Sequence, residues 1–185
     1  EDRRKLKSDA EYDQEKFEQL LEIKGDDDHE KLIRMLDELN NYQIPIEEIL
    51  PKWFDEENLL SWMAFHILVG NKDTQSRNTL LYSPQNLDKW YFISWDNDYS
   101  FKGLEEKIDQ SQIENGWDYG ICNYWGNVLF QRLLKSESYR EKLDTKVEEY
   151  KNILTEEKIS TMVNKYKPIV WKYRHQLPDI MHNRL

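Results

Sequence analysis

Two stretches decide the fold of this chain: Gly70-Asn71-Lys72-Asp73-Thr74-Gln75-Ser76-Arg77-Asn78, and Trp90-Tyr91-Phe92-Ile93-Ser94-Trp95-Asp96-Asn97-Asp98. The apolar runs Thr79–Tyr82 and Trp90–Trp95 flank Ser83-Pro84-Gln85-Asn86-Leu87-Asp88-Lys89, whose Pro, Asn and Asp are turn formers. The pattern predicts an antiparallel hairpin. Neighbouring strands lie about 5 Å apart. Asn78, just before the first strand, and Asp96, just after the second, therefore fall at the same open end.

Upstream lies a helix that is apolar all round, with Leu59, Leu60, Trp62, Met63, Phe65, Ile67, Leu68 and Val69. Such a helix is buried. Asp55 is its N-cap candidate, Phe54 and Leu59 hold hydrophobic-staple positions, and Gly70 suits the left-handed residue past its end. His66 within it reads as a hydrogen-bonded core residue. Further upstream, Phe17, Leu20 and Leu21 form a short stripe stopping near Gly25. Asp28 caps a helix carrying Leu32, Met35, Leu36 and Leu39. Pro45 and Pro51 bracket a turn of helix at Ile46–Leu50.

Downstream, residues 99–120 read as a long loop. Three helical segments follow. The first carries Val128, Leu129, Leu133 and Leu134. Ser136 caps the second, and Thr155 caps the third, with Pro168 as a kink or restart before Trp171. The fold class expected is mainly α around one small antiparallel β-hairpin.

Composition narrows the function. The chain has 185 residues, enough for one domain with a real core, and 7 Trp, 11 Tyr and 6 Phe to fill it. A net charge of −10 argues against a nucleic-acid partner and discourages docking on an anionic membrane. No run approaches the roughly 20 apolar residues of a membrane span. One cysteine, Cys122, excludes an internal disulfide framework and leaves the compartment open. The start at Glu1 without Met suggests a longer polypeptide.

The spacing Asp73-x-x-x-x-Asn78 is that of a loop in which Asp orients a hydroxyl nucleophile and Asn holds magnesium. Asp96, one hairpin later, supplies a second oxygen ligand. Two unit charges 4 Å apart repel by about 4 kcal/mol at an effective dielectric near 20, a penalty that a divalent cation removes. Plainer readings stand beside this one. Asp96-x-Asp98-x-Ser100 resembles a calcium loop, but Phe101 and Lys107 stand where Gly and Glu are required. A glycosyltransferase-type Asp-x-Asp lacks the surrounding βα repeats. Trp90 fits a strand core as readily as a ring platform. Arg77 fits a surface ion pair as readily as a phosphate contact. His29, His175 and His182 lack metal-ligand spacing.

Taken together, Phe54-Asp55-Glu56-Glu57-Asn58-Leu59-Leu60, Gly70-Asn71-Lys72-Asp73, Asn78 and Trp90 to Asp98 resemble the bacterial spore-coat CotH kinase family. Asn127 to Leu134 and Ser138-Tyr139-Arg140 are similar to its C-terminal helices. The resemblance implies an atypical protein-kinase-like C-terminal lobe over residues 13–185, after a charged remnant at 1–12. Within it, 28–98 would form the catalytic and metal core, 99–120 a loop and 121–185 the C-terminal helices. It also implies ATP and Mg²⁺ as cofactors and a protein substrate such as a coat or surface protein. Asp73 would be the catalytic residue, Asn78 and Asp96 metal and nucleotide ligands, Asp98 a supporting acidic ligand, and Trp90 a base contact. Spore coat or cell surface is the location that the family suggests.

The chain departs from ordinary kinases in two respects. Asn71-Lys72 stands where His-Arg precedes the catalytic Asp. None of the six glycines forms Gly-x-Gly-x-x-Gly, and no strand Lys with a helix Glu partner is identifiable. The expected missing partner is an N-terminal lobe of the same polypeptide. The alternative function is a non-catalytic coat or surface scaffold built on a degenerate kinase lobe. On the leading reading this chain alone binds nucleotide feebly and turns over little. Equal MgATP-dependent phosphorylation by it and by the complete protein would contradict that reading.

Overall fold

The computed structural model describes residues 13–19, 28–71, 73–74, 78–101, 124, 126–174 and 176. In chain order the elements are α1 (Gln14–Gln19), α2 (Glu30–Asn40), α3 (Ile46–Trp53), α4 (Glu56–Leu68), β1 (Leu80–Tyr82), β2 (Tyr91–Ile93), α5 (Val128–Lys135), α6 (Glu137–Ile153) and α7 (Glu156–Tyr173). The expected mainly helical chain with one two-stranded hairpin is what forms. It divides into two compact units. One takes in the chain up to Glu56 with Tyr82–Tyr91, and the other holds Glu57–Leu81 and everything from Phe92 onward.

In the first unit, α2 and α3 bury Met35, Leu39, Ile49, Leu50 and Trp53. Large apolar side chains of this kind stabilise by about 1.5–3 kcal/mol each when fully buried. Trp53 needs a partner for its indole N–H, and Glu38 on α2 accepts it at 2.7 Å. The same carboxylate accepts from Lys52, and these two donors, Lys52 first, hold the Glu38 pKa below its usual value. At the hairpin tip, Lys31 Nζ donates to the carbonyls of Pro84 (2.7 Å) and Leu87. Trp90 N–H donates to the Trp53 carbonyl at 2.7 Å, and Asp55 N–H donates to the Trp90 carbonyl at 3.2 Å.

The second unit is organised by α4. Leu59, Met63 and Ala64 are 1% exposed or less. Asn58 acts as a short strand: its Oδ1 accepts the Phe92 N–H at 2.7 Å and its Nδ2 donates to the Phe92 carbonyl at 3.1 Å. Both backbone groups of β2's central residue are thereby satisfied by one side chain. Trp62 then stacks on Phe130 at 5.8 Å and meets Phe92 at 4.9 Å, which joins α4, β2 and α5 in one aromatic core. Asn127 accepts the Leu129 N–H at 2.9 Å as the α5 cap. Arg140 Nη1 closes the other end of α5 on the carbonyls of Leu134 and Lys135. Lys146 on α6 bonds Glu149 at 2.7 Å and reaches Glu57 at the start of α4 at 2.6 Å. The two carboxylates, Glu149 first, raise its pKa to about 12.

The structure corrects several expectations. Pro51 lies inside α3, which runs on to Trp53. A proline forfeits only its own N–H, and the helix closes beyond it with Phe54 N–H on the Leu50 carbonyl at 2.8 Å. Pro168 likewise sits within an unbroken α7. His29 holds the α2 cap position, while Asp28 accepts from Glu30 N–H at 2.8 Å. Ser136 and Thr155 cap as expected, accepting from Tyr139 and Lys158 at 3.3 Å each. The expectations at 1–12, Leu20, Leu21, Gly25, Arg77, most of the 99–120 loop, Cys122, His175 and His182 lie outside the described residues.

His66 departs furthest from expectation. It is 0% exposed, 4.5 Å from the Trp62 ring and 5.1 Å from Phe65, yet neither ring nitrogen has a hydrogen-bond partner among the described residues. Burial lowers its pKa to about 4. A buried neutral imidazole must charge on unfolding in acid. Its contribution to stability is complete above the unfolded value near 6.5 and is lost as pH falls toward 4, a loss of about 3 kcal/mol. His66→Phe removes the titration while keeping a ring. Denaturant midpoints measured from pH 7 to 4.5 should fall less steeply for the variant than for the wild type. Parallel curves would show that His66 does not titrate in this way.

Candidate active site

The site begins where α4 stops. Gly70 has φ 62°, its N–H donates to the Ile67 carbonyl at 3.1 Å, and Asn71 N–H donates to the His66 carbonyl at 3.0 Å. This pair of bonds is the Schellman closure, which needs a left-handed residue at the position of Gly70. A side chain at such a φ costs about 1–2 kcal/mol. The loop therefore leaves a buried helix in one fixed direction.

Asn71 then shapes the turn. It is 1% exposed, and its Oδ1 accepts the Asp73 N–H at 3.1 Å, an Asx turn. Thr74, 0% exposed, donates its hydroxyl back to the Asn71 carbonyl at 3.5 Å, and Thr79 donates to the Thr74 carbonyl. These bonds close the loop on itself. Across its mouth, Asn78 Nδ2 donates to Asp73 Oδ2 at 3.0 Å. Both residues are half-buried. Asn78 has φ 52°, a left-handed conformation that Asn tolerates better than most residues. The structure thus brings Asp73 and Asn78 into direct contact.

Asp96 and Asp98 lie on the segment after β2, exposed, with Asp96 at φ 50°. Two bonds pin that segment to the first loop. Asn71 Nδ2 donates to Asn97 Oδ1 at 3.2 Å, and Phe101 N–H donates to the Val69 carbonyl at 2.6 Å. Within it, Asn97 Nδ2 donates to Ser94 Oγ at 2.9 Å and Ser100 N–H to the Asn97 carbonyl at 3.0 Å. Phe101 sits at φ 68°, unusual for a bulky residue and held by the bond to Val69. The Asp73 loop and the Asp96 loop are therefore joined through one buried amide.

Trp90 belongs to the other unit, where it is 8% exposed and bridged in parallel to Phe54, with Lys31 Nζ 5.9 Å from its ring centroid. Its indole N–H is buried without a partner among the described residues.

Among the described residues no three His, Cys, Asp or Glu side chains form a metal-holding group. The donor set that the loops offer is mixed, one amide with carboxylates. Such hard oxygen donors suit Mg²⁺, which takes one or two carboxylates and completes its shell with water and phosphate. With Nδ2 of Asn78 donating to Asp73, its amide oxygen is the atom that could serve a cation.

Asp73 and Asn78 meet directly, whereas Asp96 is linked to them only through its loop, by the Asn71–Asn97 bond that the sequence did not reveal. Asn97 passed as an unassigned position between two aspartates, and Asn71 as part of a motif. The signal available was the local habit of Asn, whose side chain bonds the backbone two residues on.

The family model described as CotH kinase protein matches residues 2–183. No curated protein and no solved structure matches the chain.

Asn71 holds both loops from a buried position, so Asn71→Ala leaves the half-buried Asp73 N–H without its acceptor and removes the donor to Asn97. A loss of about 2–3 kcal/mol follows, measured by denaturant unfolding. Asn71→Asp keeps the acceptor, loses the donor to Asn97 and should fall between. An alanine variant as stable as wild type would remove Asn71 as the link between the loops.

Proposed function

The chain belongs to the CotH kinase family, and from that premise we propose that it is the catalytic lobe for phosphoryl transfer from MgATP to hydroxyl groups of a protein substrate. Kinase function at family level follows from membership. The proposal about this chain's own residues rests chiefly on one observation, the 3.0 Å bond between Asn78 and Asp73 across a closed loop.

In this reading Asp73 is the catalytic residue. One carboxylate oxygen holds Asn78, and the other is placed to orient the acceptor hydroxyl and take its proton as the new oxygen–phosphorus bond forms. Asn78, through its amide oxygen, and Asp96 would hold Mg²⁺, with Asp98 in support. When bound, the ion supplies charge neutralisation on the β- and γ-phosphates. The chain's contribution is position: two loops fixed on the end of a buried helix hold their groups before the ligand arrives. The kinase-like C-lobe architecture belongs to the same proposal. Trp90 enters it only as the base contact that the resemblance implies, and its burial favours a packing role.

The sharpest test is Asp73→Ala in the complete protein. Phosphorylation of a protein acceptor with MgATP should fall by about 10²–10⁴-fold, the range for a lost general base. The thermal unfolding midpoint should stay close to wild type. Wild-type rates in the variant would take Asp73 out of the mechanism. Thermal-shift titration with MgATP separates the scaffold alternative, which the absence of both nucleotide binding and phosphorylation in the complete protein would favour.

A further inference from the structure

α7 leaves the body of the second unit with no buried residue along its length. Met162, Val163, Tyr166, Ile169, Val170 and Tyr173 are between 46% and 61% exposed. Their spacing is that of one helix face, and half-buried Ile159 starts the row. Set in heptads, Ile159, Tyr166 and Tyr173 take position a, Met162 and Ile169 take d, and Val163 and Val170 take e.

The flank of this stripe is charged in the same register. Lys158, Lys165 and Lys172 recur every seventh residue, at position g. Lys165 Nζ lies 5.3 Å from the Tyr166 ring and Lys172 Nζ 5.1 Å from the Tyr173 ring. Two of the three cations are therefore held along the stripe's edge by the tyrosines of position a. None of the three lysines forms an ion pair among the described residues. α7 has four lysines against two glutamates, both glutamates in its first turn, although the whole chain carries −10.

From this juxtaposition we propose that α7 is a docking face for an amphipathic helix of another protein, one with apolar a and d positions and acidic residues facing Lys158, Lys165 and Lys172. A second copy of this chain fits poorly. Antiparallel copies set the g lysines against each other, and parallel copies set them against Val163 and Val170, with no acid in either case. An anionic bilayer repels a chain whose net charge is −10. A narrow acidic helix meets the stripe and its basic edge alone.

The probe is a synthetic heptad peptide with Ile at a, Leu at d and Glu at every e and g position, titrated calorimetrically into the full chain. We expect saturable binding that weakens as salt is raised. Exchanging all three lysines (K158E, K165E, K172E) should weaken it about tenfold and create binding to the matching peptide with Lys at e and g. Tyr166→Glu with Ile169→Glu should abolish both. Far-UV dichroism confirms that α7 persists, and the reversed preference of the lysine variant is itself a gain that a misfolded protein would not show. Three results would each overturn the proposal. The wild-type chain fails to bind the acidic peptide, or the lysine variant binds it equally well. Alternatively, the chain sediments with phosphatidylserine vesicles, or self-associates, in a way that the peptide does not displace.

Discussion

The left-handed turn at Gly70 is the constraint on which the site depends. α4 is buried on nearly every side, so its axis is fixed by Trp62, Met63 and their neighbours. A helix fixed in this way ends in a fixed direction only if its last carbonyls are closed in one geometry. The bonds from Gly70 to Ile67 and from Asn71 to His66 supply that closure. Everything functional downstream inherits its position from them. Asn71 is aimed by the turn, Asp73 by Asn71, and the Asp96 loop by the second arm of Asn71. A flexible exit at residue 70 would leave three polar groups to find one another in solvent, each losing backbone entropy of about 1–2 kcal/mol per residue.

Much of this was legible in the residues. A run such as Leu59 to Val69 with no polar face admits few readings, and Gly70 after it admits fewer. Ser136 and Thr155 announced their helices because a hydroxyl before a helical run has a specific N–H to accept from. Proline marked a true boundary at Pro45, which caps α3, but not at Pro51 or Pro168, which lie inside their helices. Pro51 and Pro168 each forfeit one bond, and the turns on either side supply enough others to continue. His66 misled for a different reason. Composition tells that an imidazole lies inside, but whether a partner lies within reach of its nitrogens is a three-dimensional fact.

The polar links between segments were the least legible part. Asn58 on Phe92, Asn71 on Asn97 and Asn78 on Asp73 each join residues that no periodicity connects. Amide side chains suit this work because each carries a donor and an acceptor and can satisfy two backbone or side-chain groups at once. Between Asp73 and the second loop the link among the described residues is an amide, Asn71. The amides join the two loops without adding net charge, and the carboxylate charge stays available for a cation.

Backbone strain falls where the same logic predicts it. Apart from Gly70, the residues at positive φ among those described are Asn78, Asp96 and Phe101. Two of them are the proposed ligands, and the third is the residue whose N–H ties the acidic loop to Val69. Left-handed non-glycine residues cost about 1–3 kcal/mol each and persist only where surrounding bonds impose them. In a merely structural hairpin, a relaxed conformation at each of these positions would be the more stable choice. Concentrating the strain at the open end of β1 and β2 fits a site whose side-chain directions matter more than local stability, and that is the physical argument for chemistry over scaffolding here.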